Sequence, residues 1–121
     1  MHIGIDFDNT IICYDRVFNR VGVETGLVPD SLEYGKNHVR DYLREQDRED
    51  DWTRLQGVVY GTRLGEAALY EGVKPFLDWC RSRAITCTIV SHKTRYPYKG
   101  DKVDLHLAAR QFIDAHQLDL D

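Results

Sequence analysis

The N-terminal stretch is a short apolar run that ends on carboxylates, and it limits the fold more than any other part of the chain. In "MHIGIDFDNTII" residues 3–7 are nearly all apolar, which is typical of a strand covered on both faces in a parallel sheet. Because side chains alternate along a strand, Asp6 and Asp8 lie on one side of it. Charged carboxylates are seldom buried unless they are paired or bind a metal. The strand therefore ends either in a solvated turn or in a functional site.

The stretch "YEGVKPFLDWCRSRAITCTIVSHK" predicts a helix followed by a second strand, which ends at Ser91. A last helix is expected over residues 104–116, with Asp104 as its N-cap. Helix and strand in this order predict an α/β protein with a parallel sheet. The buried faces of the two helices are expected to carry Val73, Phe76, Leu77 and Cys80, and Leu105, Ala108, Phe112 and Ile113.

Residues 13–69 are expected to form a mainly helical insertion between these two units. The apolar residues of "SLEYGKNHVRDYL" have helical spacing, and the charged run "REQDREDD" is typical of a solvated helix end or a connection between helices. A further helical face follows with Trp52, Leu55 and Val59. The predicted fold is an α/β core of residues 1–12 and 70–121, with a helical cap of residues 13–69 over the strand ends.

The composition argues against several classes of partner. The 121 residues have a net charge of −4, so the chain lacks the basic surface expected of proteins that bind nucleic acid or anionic lipid. No apolar run reaches membrane length and no signal peptide is evident, which predicts a cytoplasmic protein without a membrane partner. The three cysteines, Cys13, Cys80 and Cys87, have no CxxC spacing and are expected to be reduced thiols.

Polar side chains follow both predicted strands, in "DFDNT" and in "SHKT". In an open α/β sheet, ligands bind at the carboxyl ends of the strands, so both stretches stand where a site is expected. A calcium loop is a weaker alternative, because the glycine and the distal glutamate of an EF-hand are missing. The spacing D-x-D-x-T after the first strand, with Ser91 after the next, resembles the first two motifs of the haloacid dehalogenase (HAD) superfamily. The stretch "YEGVKPFLDWCRSR" is similar to the helix that leads into the family's second motif.

The resemblance implies a Rossmann-like parallel sheet and a Mg²⁺-dependent phosphatase that acts on a small phosphorylated metabolite. It implies that Asp6 is the nucleophile, which becomes an aspartyl phosphate, and that Asp8 is the general acid and base. It also implies that Thr10 supports this geometry and that Ser91 forms a hydrogen bond with a phosphoryl oxygen. The Mg²⁺ would be bound by the Asp6 carboxylate and the backbone carbonyl of Asp8. An aspartate at the position of Asp8 points to a phosphatase rather than to a dehalogenase or an ATPase.

The loop "SHKTRYPYKG" is expected to border the phosphate pocket. We expect Asn9, His92 and Lys93 to lie close to the substrate. The cations of this loop alternate with Tyr96 and Tyr98, a pattern that also occurs in segments that bind nucleic acid. For the cations beyond Lys93 a solvated loop is the simpler interpretation, and Pro and Gly residues supply its turns.

The two later motifs of the family, a lysine and an acidic pair, have no counterpart in the sequence. The chain ends in "AHQLDLD", where no apolar strand precedes Asp119 and Asp121. Lys93 is therefore the candidate to replace the missing lysine. We expect a truncated, weakly active member of the family, whose open sheet edge favours a homo-oligomer. The alternative is a catalytically incomplete module of this fold that binds or scaffolds without chemistry.

Overall fold

The computed structural model describes residues 1–91 and 93–120. In chain order the elements are β1 (His2–Ile5), β2 (Ile12–Cys13), α1 (Asp15–Glu24), α2 (Lys36–Glu45), α3 (Glu49–Tyr60), a 3-10 turn (Leu64–Glu66), β3 (Ala68–Leu69), α4 (Val73–Ser82), β4 (Thr86–Ile89) and α5 (Leu105–Ala115). The described part of the chain is thus mixed α and β, with five α-helices. None of these helices is both long and apolar enough to span a membrane.

The two predicted strands form a parallel pair. β1 and β4 run side by side in the register His2 to Thr86 and Ile5 to Ile89, and the N–H of Val90 extends the pairing to the carbonyl of Ile5 at 2.8 Å. The predicted α/β class is therefore confirmed. Because parallel neighbours end at the same edge, the residues after Ile5 and after Ile89 leave the sheet together.

The helical segment begins and ends at a second, antiparallel pair of strands. β2 and β3 pair through Ile12 with Leu69 and Cys13 with Ala68. Helices α1, α2 and α3 lie between these two strands in the chain. Residues 13–69 therefore contain three α-helices, and the chain enters and leaves this segment at adjacent positions.

The helical segment and the α/β elements share one hydrophobic core. Helices α1, α2 and α3 pack against one another, and α3 also packs against α5. Just after β1, the ring of Phe7 meets the ring of Phe112 edge-on, with the ring centres 6.3 Å apart. One continuous cluster of buried residues includes Phe7, Val17, Phe18, Val39, Leu43, Trp52, Leu55, Val59, Leu77, Cys87, Phe112 and Ile113. Burial of apolar surface thus joins residues 13–69 to the rest of the chain.

The predicted buried face of α4 is only partly right. Leu77 and Cys80 are buried as expected. Phe76, in contrast, is 43% exposed, and its ring stacks on the exposed ring of Trp79 with the centres 6.4 Å apart. The prediction for Phe76 is wrong because the two-stranded sheet is narrow and covers only a thin stripe of α4. A wider sheet would bury a broader apolar stripe.

The other predicted helical faces are confirmed, except that Ala108 is half-buried. Asp104 is the N-cap of α5, and its Oδ1 accepts the N–H of Leu107 at 3.0 Å. The run "REQDREDD" connects α2 to α3, with an ion pair of 2.8 Å between Arg44 and Glu49. The buried side chains of these three helices are those of Val39, Leu43, Trp52, Leu55, Val59, Leu105, Phe112 and Ile113.

Gly57 in α3 allows the loop after β4 to pack closely on this helix. A Cβ at Gly57 would lie 2.8 Å from Cβ of Pro97 and 3.5 Å from the carbonyl oxygen of Lys99. A glycine inside a helix costs about 1 kcal/mol relative to alanine. The close approach of the loop explains why this cost is present at Gly57.

We expect Gly57→Ala to lower the free energy of unfolding by about 1–3 kcal/mol, because overpacking against Pro97 outweighs the better helix propensity. Urea unfolding measures this change. Gly65→Ala is the matched control, since a Cβ there meets no atom within 4 Å, and we expect it to change stability by less than about 0.5 kcal/mol. A Gly57→Ala protein that is more stable than the wild type would contradict the packing argument.

Candidate functional site

The chain reverses direction directly after β1 in a tight turn. The carbonyl of Phe7 accepts the N–H groups of Ile11 and Ile12 at 3.1 and 3.3 Å, and the N–H of Asn9 donates to the carbonyl of Ile12 at 3.0 Å. Asn9 has a φ of 60°, in the left-handed region that asparagine tolerates better than most residues. These hydrogen bonds fix the backbone that carries Asp8 and Asn9.

Asp6 presents an open carboxylate at the end of β1. Its side chain is exposed, and its Oδ1 accepts the N–H of Phe7 at 2.9 Å. Within the described residues it forms no ion pair. An exposed carboxylate without a counter-charge can approach the phosphorus atom of a bound substrate.

Asp8 lies two residues further on and is held by one hydrogen bond and one ion pair. Its side chain is 24% exposed, and its Oδ1 lies 3.0 Å from Nζ of Lys93. The same oxygen accepts a hydrogen bond from the hydroxyl of Tyr14. Burial, together with the charge of Asp8, raises the pKa of Tyr14, so this phenol stays protonated and donates. Asp8 is therefore oriented by one neutral and one charged group.

Lys93 is a buried cation in contact with two aromatic rings. Its side chain is only 5% exposed, and Nζ lies 5.2 Å from the ring centre of Phe7 and 4.8 Å from that of Tyr60. The contact of Nζ with Asp8 is an ion pair rather than an aligned hydrogen bond. Burial lowers the pKa of Lys93 and outweighs the opposing effect of Asp8. The ammonium is thus held in place by packing as well as by charge.

The backbone of Lys93 is fixed from both sides. Its N–H donates to Oγ of Ser91 at 3.2 Å. Nε2 of His106 lies 2.9 Å from the carbonyl oxygen of Lys93, so this nitrogen carries the proton. Ser91 itself is exposed and lines a cleft of about 150 Å³ with Phe7 and His106. In this arrangement Ser91 supports Lys93, and its assignment as a phosphate contact stays a prediction.

The remaining predicted residues lie at different distances from this centre. Thr10 is exposed in the turn after β1. Asn9 is also exposed and lines a cleft of about 450 Å³ together with Lys36 at the start of α2. The prediction for His92 concerns a residue outside those that the structure describes. The structure therefore brings Asp8 and Lys93 into direct contact and places Asn9 beside a second lysine.

Sequence reasoning missed three residues that complete the site, namely Tyr14, Tyr60 and Lys36. The rings of Tyr14 and Tyr60 meet edge-on with their centres 5.0 Å apart, and Nζ of Lys36 lies 5.4 Å from the ring centre of Tyr60. Burial lowers the pKa of Lys36. A signal for Lys36 was present, because it lies in the first turn of α2, where the helix dipole disfavours a cation and where the turn itself contains no acidic residue.

The donors at the end of β1 fit a Mg²⁺ ion that keeps most of its water. The Asp6 carboxylate is open, and the backbone carbonyl of Asp8 accepts no backbone hydrogen bond from the described residues. Residues 1–91 and 93–120 contain no group of three or more His, Cys, Asp or Glu side chains placed to bind a metal. Mg²⁺ is commonly bound by one or two carboxylates, several waters and substrate phosphate oxygens. The two protein oxygens therefore suit an ion that binds together with a phosphorylated substrate.

No family model matches the chain, and no curated protein or solved structure matches it either. The similarity of "DFDNT" and Ser91 to HAD motifs therefore stays a prediction from the sequence.

Proposed function

We propose that this protein is a Mg²⁺-dependent phosphatase of the HAD type, which hydrolyses a small phosphorylated metabolite through an aspartyl phosphate on Asp6. The observation that supports this proposal best is that Asp6 and Asp8, two carboxylates at one strand end, have different surroundings. Asp6 is open to solvent, whereas Asp8 is held by Tyr14 and Lys93. A Rossmann-like core, with residues 13–69 as its helical cap, is part of the same proposal.

In the first step, a carboxylate oxygen of Asp6 forms a bond to phosphorus, and the bond from phosphorus to the leaving oxygen breaks. Asp8, protonated on Oδ2, gives this proton to that leaving oxygen while its Oδ1 keeps its contacts with Tyr14 and Lys93, so the product leaves as a neutral alcohol. A Mg²⁺ ion, when bound, neutralises charge between Asp6 and the phosphoryl group. Asp8 must reach the leaving oxygen without rotating away, and its contacts with Tyr14 and Lys93 restrict that rotation.

In the second step, Asp8 takes a proton from a water molecule, and the water oxygen bonds to phosphorus. The bond between phosphorus and the Asp6 oxygen breaks, which releases phosphate and restores the carboxylate. Lys93 acts as a positioning residue in both steps, because its fixed ammonium holds Asp8 in one place. The ring of Tyr60 contacts both this ammonium and the ring of Tyr14, so the two groups that hold Asp8 are packed against one side chain.

The experiment is a phosphate-release assay with p-nitrophenyl phosphate on the full chain, with Mg²⁺ and with EDTA. We expect release with Mg²⁺ and its loss with EDTA, because two protein oxygens and the substrate share the ion. Borohydride reduction followed by peptide mass spectrometry identifies the phosphorylated residue, which we expect to be Asp6. Release that is unchanged in EDTA, or a label on another residue, would contradict the proposal.

A second candidate is the catalytically incomplete binding module. The observation that favours it is the small donor set, since the described residues contain no group of three or more His, Cys, Asp or Glu side chains placed to bind a metal. Such a module would bind inorganic phosphate or a phosphorylated ligand in a Mg²⁺-dependent manner without releasing product. Calorimetric binding without turnover in the assay above would favour this candidate over the phosphatase.

A cytoplasmic location and a homo-oligomer also belong to the proposal. The three cysteines are free thiols, two of them buried, which suits a reducing compartment. Both β1 and β4 have an unpaired edge in the described residues, and such edges favour association of strands. We propose a small phosphorylated molecule as the partner, and no nucleic acid.

A further inference from the structure

The helical segment places a second lysine beside the carboxylates. Lys36 is half-buried in the first turn of α2, and its Nζ lies 5.4 Å from the ring centre of Tyr60. Nζ of Lys93 lies 4.8 Å from the same ring centre. Since Lys93 contacts Asp8, two ammonium groups from distant parts of the chain converge at the end of β1.

The charges of these groups are not balanced in the same way. Lys93 has Asp8 as its counter-ion, and the remaining contact of that Asp8 oxygen is with Tyr14. Lys36 forms no ion pair with the described residues. The carboxylate of Asp8 stabilises the charge of Lys36 only without direct contact, and burial outweighs it in lowering the pKa of Lys36. A partly buried charge without a contacting partner is unfavourable, and its position in the first turn of a helix adds to this cost. Contacts with the rings of Tyr60 and Phe18 offset only part of it.

The position of Lys36 is set by the backbone before α2. The N–H of Gly35 donates to the buried side chain of Asn19 at 2.9 Å, and the N–H of Lys36 donates to Oδ1 of Asp15 at 3.3 Å. Gly35 has a backbone φ of 146°, a value that residues other than glycine rarely adopt. Two of the first N–H groups of α2 therefore already have partners, and the full positive charge at the start of this helix is that of the Lys36 side chain.

A cleft connects this lysine to the turn after β1. It has a volume of about 450 Å³, and its walls include Asn9, Lys36 and Tyr70 together with the carboxylate of Asp15, whose Oδ1 accepts the N–H of Lys36. Asn9 is the residue that follows Asp8, so the cleft opens next to the proposed centre. A space of this size holds a phosphoryl group together with part of the molecule that carries it.

We propose that Lys36 is a substrate-binding residue, which contacts the phosphoryl oxygens of a phosphomonoester bound at Asp6. The assignment of a phosphomonoester rests on the function proposed above, whereas the binding of a phosphate anion by Lys36 does not. The helical segment thus contributes a positive charge to the site in addition to packing over it. Lys36 supplies the cation for the anion, while Lys93 remains paired with Asp8.

The test measures the Kd of inorganic phosphate by calorimetry, with Mg²⁺ present, for the full chain and for Lys36→Met. We expect the variant to bind phosphate about 10- to 100-fold more weakly, as expected for loss of a hydrogen bond to a charged group. Lys36→Arg keeps the charge, and we expect its Kd to stay within about threefold of the wild type. Lys74→Met, which removes an exposed lysine of α4, is the matched control and should leave the Kd unchanged.

Each outcome decides between the alternatives. Weaker binding in Lys36→Met, without phosphate release by the wild type, would support Lys36 as an anion site and contradict the phosphatase proposal. Phosphate release by the wild type, with equal Kd values for wild type and Lys36→Met, would overturn the role of Lys36 alone. If Lys36→Met does not fold by circular dichroism, Lys36→Gln replaces it in the same comparison. A wild-type chain that does not bind millimolar phosphate would also overturn the inference.

Discussion

Replacement of Asp6 by asparagine is expected to reduce the rate of phosphate release by about 10⁴-fold or more, because the amide cannot form the covalent intermediate. The fold should be unaffected, since the Asp6 side chain is exposed and its only described side-chain hydrogen bond is with the N–H of the next residue. An amide oxygen can accept that hydrogen bond equally well. The measurement is the initial rate with p-nitrophenyl phosphate and Mg²⁺, together with urea unfolding of the same sample.

The matched control for this prediction is Asp78→Asn. Asp78 is an exposed carboxylate on α4, in a different element from Asp6. We expect this variant to retain the wild-type rate and stability. Turnover by Asp6→Asn at more than about a tenth of the wild-type rate would contradict the assignment of Asp6 as the nucleophile.

Replacement of Asp8 by asparagine is expected to affect both stability and rate. Loss of one partner of a buried ion pair costs about 3–5 kcal/mol, because the other charge stays buried without compensation. Lys93 is 5% exposed and Asp8 is 24% exposed, so we expect a smaller loss of about 2 kcal/mol in the free energy of unfolding. The rate of the folded protein should fall by about 10²- to 10⁴-fold, as for loss of a general acid and base.

The double variant Asp8→Asn with Lys93→Met separates the two effects. Methionine keeps most of the buried volume of Lys93 and removes its charge, so we expect the double variant to regain most of the stability lost by Asp8→Asn. It should not regain activity. If the changes in the free energy of unfolding of the two single variants simply add in the double variant, Asp8 and Lys93 do not stabilise each other. The ion pair would then have no energetic role.

The dependence on pH provides an independent check of the same pair. Burial lowers the pKa of Lys93 below the usual value of 10.5. Between the lowered pKa and 10.5, the unfolded chain binds more protons than the folded chain, so Lys93 makes stability rise with pH in this window. Without the charge of Asp8 the pKa of Lys93 falls further. The decrease in the free energy of unfolding caused by Asp8→Asn should therefore become smaller as the pH rises through this window. A decrease in the free energy of unfolding that becomes larger toward alkaline pH would contradict the predicted coupling between Asp8 and Lys93.

The sequence predicted the elements of the fold better than the packing between them. The apolar run before Asp6 and the β-branched run before Ser91 predicted two neighbouring parallel strands, because local patterning specifies a strand. The same reasoning placed Asp8 and Lys93 at one edge of the sheet, and they are in contact. The exposure of Phe76 was missed because it depends on the width of the sheet, and no local pattern contains that information.

The missed part of the site comes from helices that are distant in the chain. Tyr14, Lys36 and Tyr60 belong to or border three different helices, and only the packing of these helices brings their side chains to Asp8 and Lys93. Periodicity predicts which side of a helix is buried but does not predict which element covers it. Lys36 could be suspected from its unfavourable position in the first turn of α2, whereas nothing local distinguishes Tyr60 from an ordinary core residue.

The single hydrophobic core has a consequence for the route that the proposed substrate would take to Asp6. A helical segment with its own core could swing open on its two connecting strands, but here such a movement would expose Phe7 and the apolar residues that pack around it. We therefore expect entry between the fixed walls of the cleft beside Asn9, where the exposed ring of Tyr34 lies at the rim. Rotation of an exposed side chain takes picoseconds to nanoseconds, whereas a hinge movement takes microseconds to milliseconds. Admission of the substrate would thus be governed by side-chain rotation, and opening of the helical segment would not limit the rate of turnover.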